Sequence, residues 1–247
     1  MFKNNSSRKT LDKKLIGITG ASGSLGKALT TALQDEGAYV IGLTHGSDRD
    51  PSLKKVVPDE WVSWSCGEEA SLEKTLERLD ILIINHGINL KGRQDSSSID
   101  DSLEINALST WRLMKIFEEI VLQKNHSNNK TTEIWINSSE AEVQPALSPV
   151  YELSKRLIGE IVSLKWNNLN ESQKRKLRIR KLILGPFQSN LNPIGIMKPE
   201  FVAKQIIFQA NLNIDLIIVS PNPITYLTIP IIELIRFIYS SITKKIK

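Results

Sequence analysis

Short apolar runs separated by stretches of helical periodicity constrain this chain more than any other feature. The runs are "KLIGITG" (14–20), "YVIGLTH" (39–45), "WVSWS" (61–65), "DILIIN" (80–85), "EIWINSS" (133–139), "LRIRKLILG" (177–185) and "DLIIVS" (215–220). Helical patterns fall between them at 24–37, 70–79, 100–124, 151–169 and 198–211. A strand that reads as a continuous apolar run is covered on both faces, and a helix between successive strands makes them parallel. Right-handed crossovers then give an α/β fold with one doubly wound, seven-stranded parallel sheet. No Pro-, Gly- or Ser-rich linker divides the chain. The expected organisation is a basic tail at 1–13, one domain at 14–222, and an amphipathic helix with a basic end at 223–247.

Composition removes several alternatives. The 247 residues are 40% hydrophobic and 24% charged, an ordinary globular balance. A single cysteine, Cys66, rules out an internal disulfide and reads as a small buried residue. His45, His86 and His126 lie far apart with no paired cysteines, so no metal is expected. The net charge of +5 is concentrated in "MFKNNSSRKTLDKK" and "KKIK". Two readings follow, solvated tails or attraction to anionic lipid. No basic stretch is interleaved with exposed aromatics, so no nucleic acid is expected. The N-terminus has no apolar run after its charges, which argues against a secretory signal and for a cytoplasmic protein, or one peripheral on a membrane surface.

"GITGASGSLGKAL" sets Gly20, Gly23 and Gly26 directly after the first strand and at the mouth of the first helix. A tight turn, a close backbone approach and a helix N-terminus together suit a dinucleotide pyrophosphate, which makes the domain Rossmann-like. NAD-binding units place an acid at the end of the second strand; here stand Thr44, His45, Gly46 and Ser47, with Asp48 the first acid. NADP(H) is therefore favoured over NAD(H), with His45, Ser47 or Arg49 as donors to a 2′-phosphate. Asp48 folding back to the ribose keeps NAD open.

"VYELSKRLIG" puts Tyr151 and Lys155 one helical turn apart. That spacing alone fits either an activated phenol or an ordinary surface pair. "IINHG" (Asn85, His86, Gly87), "LEINAL" (Asn106) and "INSSEA" (Ser138, Ser139) supply the context. With the glycine turn, this ordered set resembles the short-chain dehydrogenase/reductase family over residues 14 to 220. In wording, "DILIINHGIN", "SSEAEVQPALSPVYELSK" and "RKLILGPFQSNLNPIGIM" look like the dehydrogenase part of cyanobacterial bifunctional sterol desaturase/short-chain dehydrogenase proteins.

The resemblance implies an oxidoreductase that interconverts an alcohol and a ketone or aldehyde, lipid-like by that association. Tyr151 would be the acid/base, Lys155 would lower its pKa, Ser139 would hold the substrate oxygen, and Asn106 would keep a relay water near Lys155. Cofactor contacts would come from Gly20, Ser22, Gly23, Leu25, Gly26, Thr44, His45, Asn85, His86, Gly87, Tyr151, Lys155, Pro186 and Ser189. His86 would pack under the cofactor. Ser139 and Tyr151 stand one residue closer than the family's spacing, so Ser138 is an alternative. "LGPFQSN" inverts the family's Pro-Gly order, and Glu140 and Glu142, where small residues are usual, read as surface groups. A homodimer or homotetramer is implied, through the helices of Asn106 and Tyr151. The competing reading is a dinucleotide-binding sensor or scaffold without turnover.

"ITYLTIPIIELIRFIYSSITKKIK" has a broad apolar face broken by Glu233, Arg236, Ser240 and Lys244. It reads either as a helix packed on the body or a partner copy, or as one lying on a membrane surface.

Overall fold

The computed structural model describes residues 10–45, 57–124 and 131–246, with side chains to Lys244. Most of the basic N-terminal tail and Gly46, Ser47, Asp48 and Arg49 lie outside the described residues. Seven parallel strands form one sheet in the order β3-β2-β1-β4-β5-β6-β7. They are β1 (Leu15–Thr19), β2 (Tyr39–Thr44), β3 (Glu60–Ser63), β4 (Ile81–Ile84), β5 (Thr132–Ser139), β6 (Leu177–Leu184) and β7 (Leu216–Val219). The expected α/β fold is the observed one. Strand order reverses between β1 and β4, and the crevice beyond their carboxyl ends is where such sheets bind ligands.

Helices α1 (Ser24–Asp35), α2 (Glu73–Leu76), α3 (Ser96–Leu103), α4 (Ser109–Gln123), α5 (Pro149–Asn168), α6 (Glu171–Lys176), α7 (Pro199–Asn211) and α8 (Thr225–Ile246) complete the fold. Leu25, Leu29 and Leu33 of α1 and Val202, Ala203 and Ile206 of α7 bury one sheet face. Leu76, Leu113, Phe117, Ile158 and Val162 bury the other, from α2, α4 and α5. The first helix stops where the glycine predicts: Gly37 takes φ +87°, and the Ala38 and Gly37 amides close onto the carbonyls of Leu33 and Gln34.

Two expectations need correction. The single helix at 100–124 is α3 and α4 joined through a π-helical turn, Glu104–Leu108, around Asn106. The Asn106 side chain grips Ile88 there, a tertiary demand invisible to periodicity. The helix expected over 70–79 shrinks to a 3₁₀ turn, Glu69–Leu72, and the single turn of α2.

Candidate active site

The glycine turn is a backbone cradle. Gly20 has φ +64°, and a Cβ there would stand 2.9 Å from the His86 Cα. A Cβ on Gly26 would meet the Gly20 carbonyl oxygen at 2.2 Å, so α1 presses directly on the turn. Gly23 caps α1 with extended backbone and no side chain, leaving the first-turn amides directed outward. Leu25 anchors the helix in the core, while Ser22 and Thr44 share a hydroxyl hydrogen bond of 3.1 Å. Free amides, a positive dipole end and no side-chain bulk fit a pyrophosphate. Gly26→Val should weaken NADPH binding by about tenfold to a hundredfold, the cost of roughly 1–3 kcal/mol of overpacking. Fluorescence titration checks this; unchanged affinity in a folded variant would assign Gly26 to packing alone.

Beneath the cradle, Thr19 Oγ1 accepts from the amides of Asn85 (2.9 Å) and His86 (3.2 Å). Its own proton is therefore left for His86 Nδ1 at 2.8 Å, which fixes His86 as the neutral Nε2–H tautomer. Burial, then the neighbouring His45 and Lys155, push His86 down to about 3, so the floor is uncharged at neutral pH. Asn137 donates to Asn85 at 2.9 Å, tying β5 to the same floor, and a Cβ on Gly87 would meet Asn106 Oδ1 at 2.9 Å. Trp64 packs edge-on against His86, with centroids 5.2 Å apart, and lies against His45 at 4.9 Å. His45 Nδ1 donates to the Trp64 carbonyl at 2.8 Å, so that nitrogen is not free for a phosphate. Burial raises the Cys66 thiol, consistent with a packed side chain.

Ser139, Tyr151 and Lys155 come together at the end of β5. Pro149 starts α5 with its fixed φ, so Tyr151 sits in the first turn and Lys155 one turn later. The Tyr151 hydroxyl lies beside Ser139, close enough for the serine to hold its pKa down, despite the shortened spacing. Ser138 Oγ is buried with no hydrogen-bond partner among the described residues. Burial pushes Tyr151 up to about 12, with Ser139 opposing and the Glu140 charge helping. The expectation that Lys155 lowers this pKa is not met. The Lys155 ammonium lies 5.6 Å from the Tyr151 ring centroid and donates to the Asn137 carbonyl at 3.2 Å. Burial brings Lys155 itself down to about 8, with Glu142 opposing.

Asn106 is a clamp. Its Oδ1 accepts from the Ile88 amide at 2.7 Å, and its Nδ2 donates to the Ile88 carbonyl, Ser154 and Ser102 at 3.0–3.2 Å. Glu140 and Glu142 are not surface groups. Glu140 accepts from Ser220 (2.6 Å) and Thr225 (3.0 Å), and Glu142, 3% exposed, accepts from buried Lys181 at 2.6 Å. The loop after β6 folds on itself: the amides of Ile196 and Met197 donate to the Pro186 carbonyl, and Ser189 Oγ accepts from the Asn192 amide at 3.0 Å. Thr19, Trp64 and Ser154 are site members that the motifs did not single out. A threonine closing an apolar strand just before Gly20 was the available signal.

A doubly wound parallel sheet with a glycine cradle and a Ser–Tyr–Lys group at its carboxyl edge defines a dinucleotide-dependent oxidoreductase fold. The chain belongs to the NAD dependent epimerase/dehydratase family, whose model matches residues 16–162, and so to the wider short-chain dehydrogenase/reductase group. It is 41% identical over 232 residues to a monoglucosyldiacylglycerol epimerase of Synechocystis, covering 93% of this chain and 55% of that one. The chain thus spans about half the length of that relative, which bears the name of a lipid epimerase and not of a desaturase–dehydrogenase. The 3-oxoacyl-[acyl-carrier-protein] reductase of Escherichia coli is 27% identical over 166 residues, 61% of this chain and 68% of its own. A Burkholderia cenocepacia short chain dehydrogenase in complex with NADP superposes with TM-score 0.73 at 17% identity, over 89% and 92% of the two chains. At that identity the likeness speaks to the fold.

Proposed function

We propose that this chain is an NADP(H)-dependent oxidoreductase that interconverts a secondary alcohol and a ketone on an amphiphilic substrate, with Tyr151 as acid/base. The observation that carries the reading is the placement of the Tyr151 hydroxyl beside Ser139 at the end of β5, with the buried Lys155 ammonium 5.6 Å from the tyrosine ring centroid. Two hydroxyls that meet there suit one substrate oxygen. When bound, the dinucleotide accepts or returns the hydride. In the reductive direction Tyr151 gives its proton to the carbonyl oxygen while Ser139 holds that oxygen. In the reverse direction the alcohol's proton passes to the tyrosine oxygen. Asn106 fixes the turn that carries Gly87 and Ile88, and so the side wall of the site.

The Synechocystis relative supports a sugar hydroxyl on a diacylglycerol as the alcohol. Oxidation to a ketone followed by reduction on the opposite face would invert that carbon with no net consumption of dinucleotide. For the cofactor, Thr44 and His45 offer no carboxylate at the end of β2, and the Burkholderia neighbour, named as an NADP complex, agrees. Pairing of copies through the helices around Asn106 and Tyr151 belongs to the same reading.

The test is incubation of glucosyl diacylglycerol in mixed micelles with the protein and substoichiometric NADP⁺, with the headgroup sugars resolved afterwards. An inverted sugar supports the proposal. A transient ketone only would limit it to oxidation and reduction, and no change with dinucleotide bound would rule out this substrate.

A pH dependence follows. Below about 8 both Tyr151 and Lys155 are protonated, the form that delivers a proton to a carbonyl. Carbonyl reduction should therefore fall as pH rises through about 8, read as kcat/KM against pH. The limb should vanish in Lys155→Met; its survival there would assign it to another group.

A further inference from the structure

Helix α8 is fastened to the body along one edge. Thr225 is fully buried and Ile229 nearly so. Glu233 accepts from Lys181 (2.8 Å) and Ser163 (2.9 Å). Arg236 donates to Glu233 (2.7 Å) and pairs with Glu160, and Lys244 donates to the Asn167 carbonyl at 2.5 Å. Thr225, Ile229, Glu233 and Arg236 recur every three or four residues and Lys244 lies about two turns further on, so Glu233, Arg236 and Lys244 are all turned to the protein. The helix runs about 33 Å at 1.5 Å per residue.

The opposite edge is open among the described residues. Leu227, Leu234, Phe237, Ile238, Tyr239 and Ile242 are 47% to 68% exposed. By length and composition this is the one described helix that is apolar enough to cross a membrane. Crossing, however, would tear Glu233 and Arg236 from Lys181 and Glu142 and leave charges buried alone. A helix held flat by its polar edge, with an aliphatic and aromatic outer face, is instead built to lie in a lipid interface.

We propose that the outer face of α8 docks on an anionic lipid surface, with the helix in the interface plane and the site mouth at its N-terminal end. Charge argues for that occupant. No acid follows Glu233 in the sequence, and Lys245 and Lys247 follow Lys244, a positive end that matches anionic headgroups where a second copy would present the same charge. Position argues for its use. Thr225 donates to Glu140, the residue after Ser139, so the helix begins beside the substrate oxygen site. The biological use rests on the amphiphilic substrate proposed above; the docking itself does not.

The test is flotation of the full chain with vesicles of phosphatidylcholine alone and of phosphatidylcholine with phosphatidylglycerol. The chain should float with both and more with the anionic mixture. The double variant Leu234→Asp/Phe237→Asp, which leaves the polar edge intact, should lose at least about tenfold in partitioning while keeping its melting temperature and NADPH binding. Three outcomes overturn the proposal: no flotation, flotation unaffected by the double variant, or a lipid-free dimer in sedimentation velocity that the same variant dissociates. Loss of NADPH binding with flotation intact would instead remove the oxidoreductase reading and leave the docking surface standing.

Discussion

Tyr151→Phe is expected to lower turnover by about 10²- to 10⁴-fold, the usual worth of a positioned proton donor, while leaving NADPH affinity unchanged. The substitution removes one oxygen from a half-buried ring and little else. The remaining polar groups cannot replace it. Lys155 is spent on the Asn137 carbonyl at 3.2 Å, Ser139 already accepts from the Ala141 amide at 3.2 Å, and His86 is held neutral with Nδ1 on Thr19. Steady-state kinetics beside a dinucleotide titration separates the cases. Retained turnover would remove Tyr151 from the chemistry. Loss of NADPH binding together with turnover would mean that the ring, not the hydroxyl, matters.

Lys181→Met should cost about 3–5 kcal/mol of stability, the penalty for stripping one partner from a buried ionic set. Lys181 is fully buried on β6 and donates to Glu142 (2.6 Å), Glu233 (2.8 Å), the Gly159 carbonyl and Ser163 (both 3.0 Å). Without it the two carboxylates share Arg236 as their one cation among the described residues, where Glu142 Oε1 already lacks a partner. At about 2–4 °C per kcal/mol for a chain of this size the melting temperature should drop by roughly 6–20 °C. Adding Glu142→Gln should recover part of the loss, because the unpaired charge and not the missing pair carries the cost. A drop under about 1 kcal/mol, in the range of exposed pairs, would contradict the buried network. The same network sets an acid limit. Burial raises the Glu233 carboxyl, but Lys181 and Arg236 outweigh it and hold the group below its ordinary value of 4.5. That contribution is complete above about 4.5 and is lost as pH falls through the lower folded value. Chemical denaturation at stepped pH should show the loss in the wild type and little of it in Lys181→Met.

The sheet was legible because most of its strands are nearly unbroken apolar runs, and burial on both faces leaves few other ways to satisfy such runs. The site was legible for the same reason in reverse. Glycines at a strand end, and a serine, tyrosine and lysine at the edges of three elements, are polar exceptions in an apolar pattern. Local periodicity failed where a distant group decided the geometry. The Asn106 grip on Ile88 opens a π-helical turn in what reads as one continuous helix. Likewise, the Glu140 and Glu142 carboxylates look solvent-directed until Lys181, thirty-nine positions on, is placed beneath Glu142. The lysine inside "LRIRKLILG" was itself a signal, since a buried strand tolerates an ammonium only with partners at hand. "NESQ" was another: Asn170 and Gln173 form the capping box that starts α6.

The most direct measurement is titration of the purified protein with NADPH and separately NADH, followed by tryptophan fluorescence. Trp64 lies against His86 and His45 at the cradle, so an occupied site is expected to quench it. Saturable quenching with NADPH, and weaker quenching with NADH, is the result that the cradle and the acid-free end of β2 predict. Quenching by neither would make Gly20, Gly23 and Gly26 a structural turn and contradict the oxidoreductase assignment.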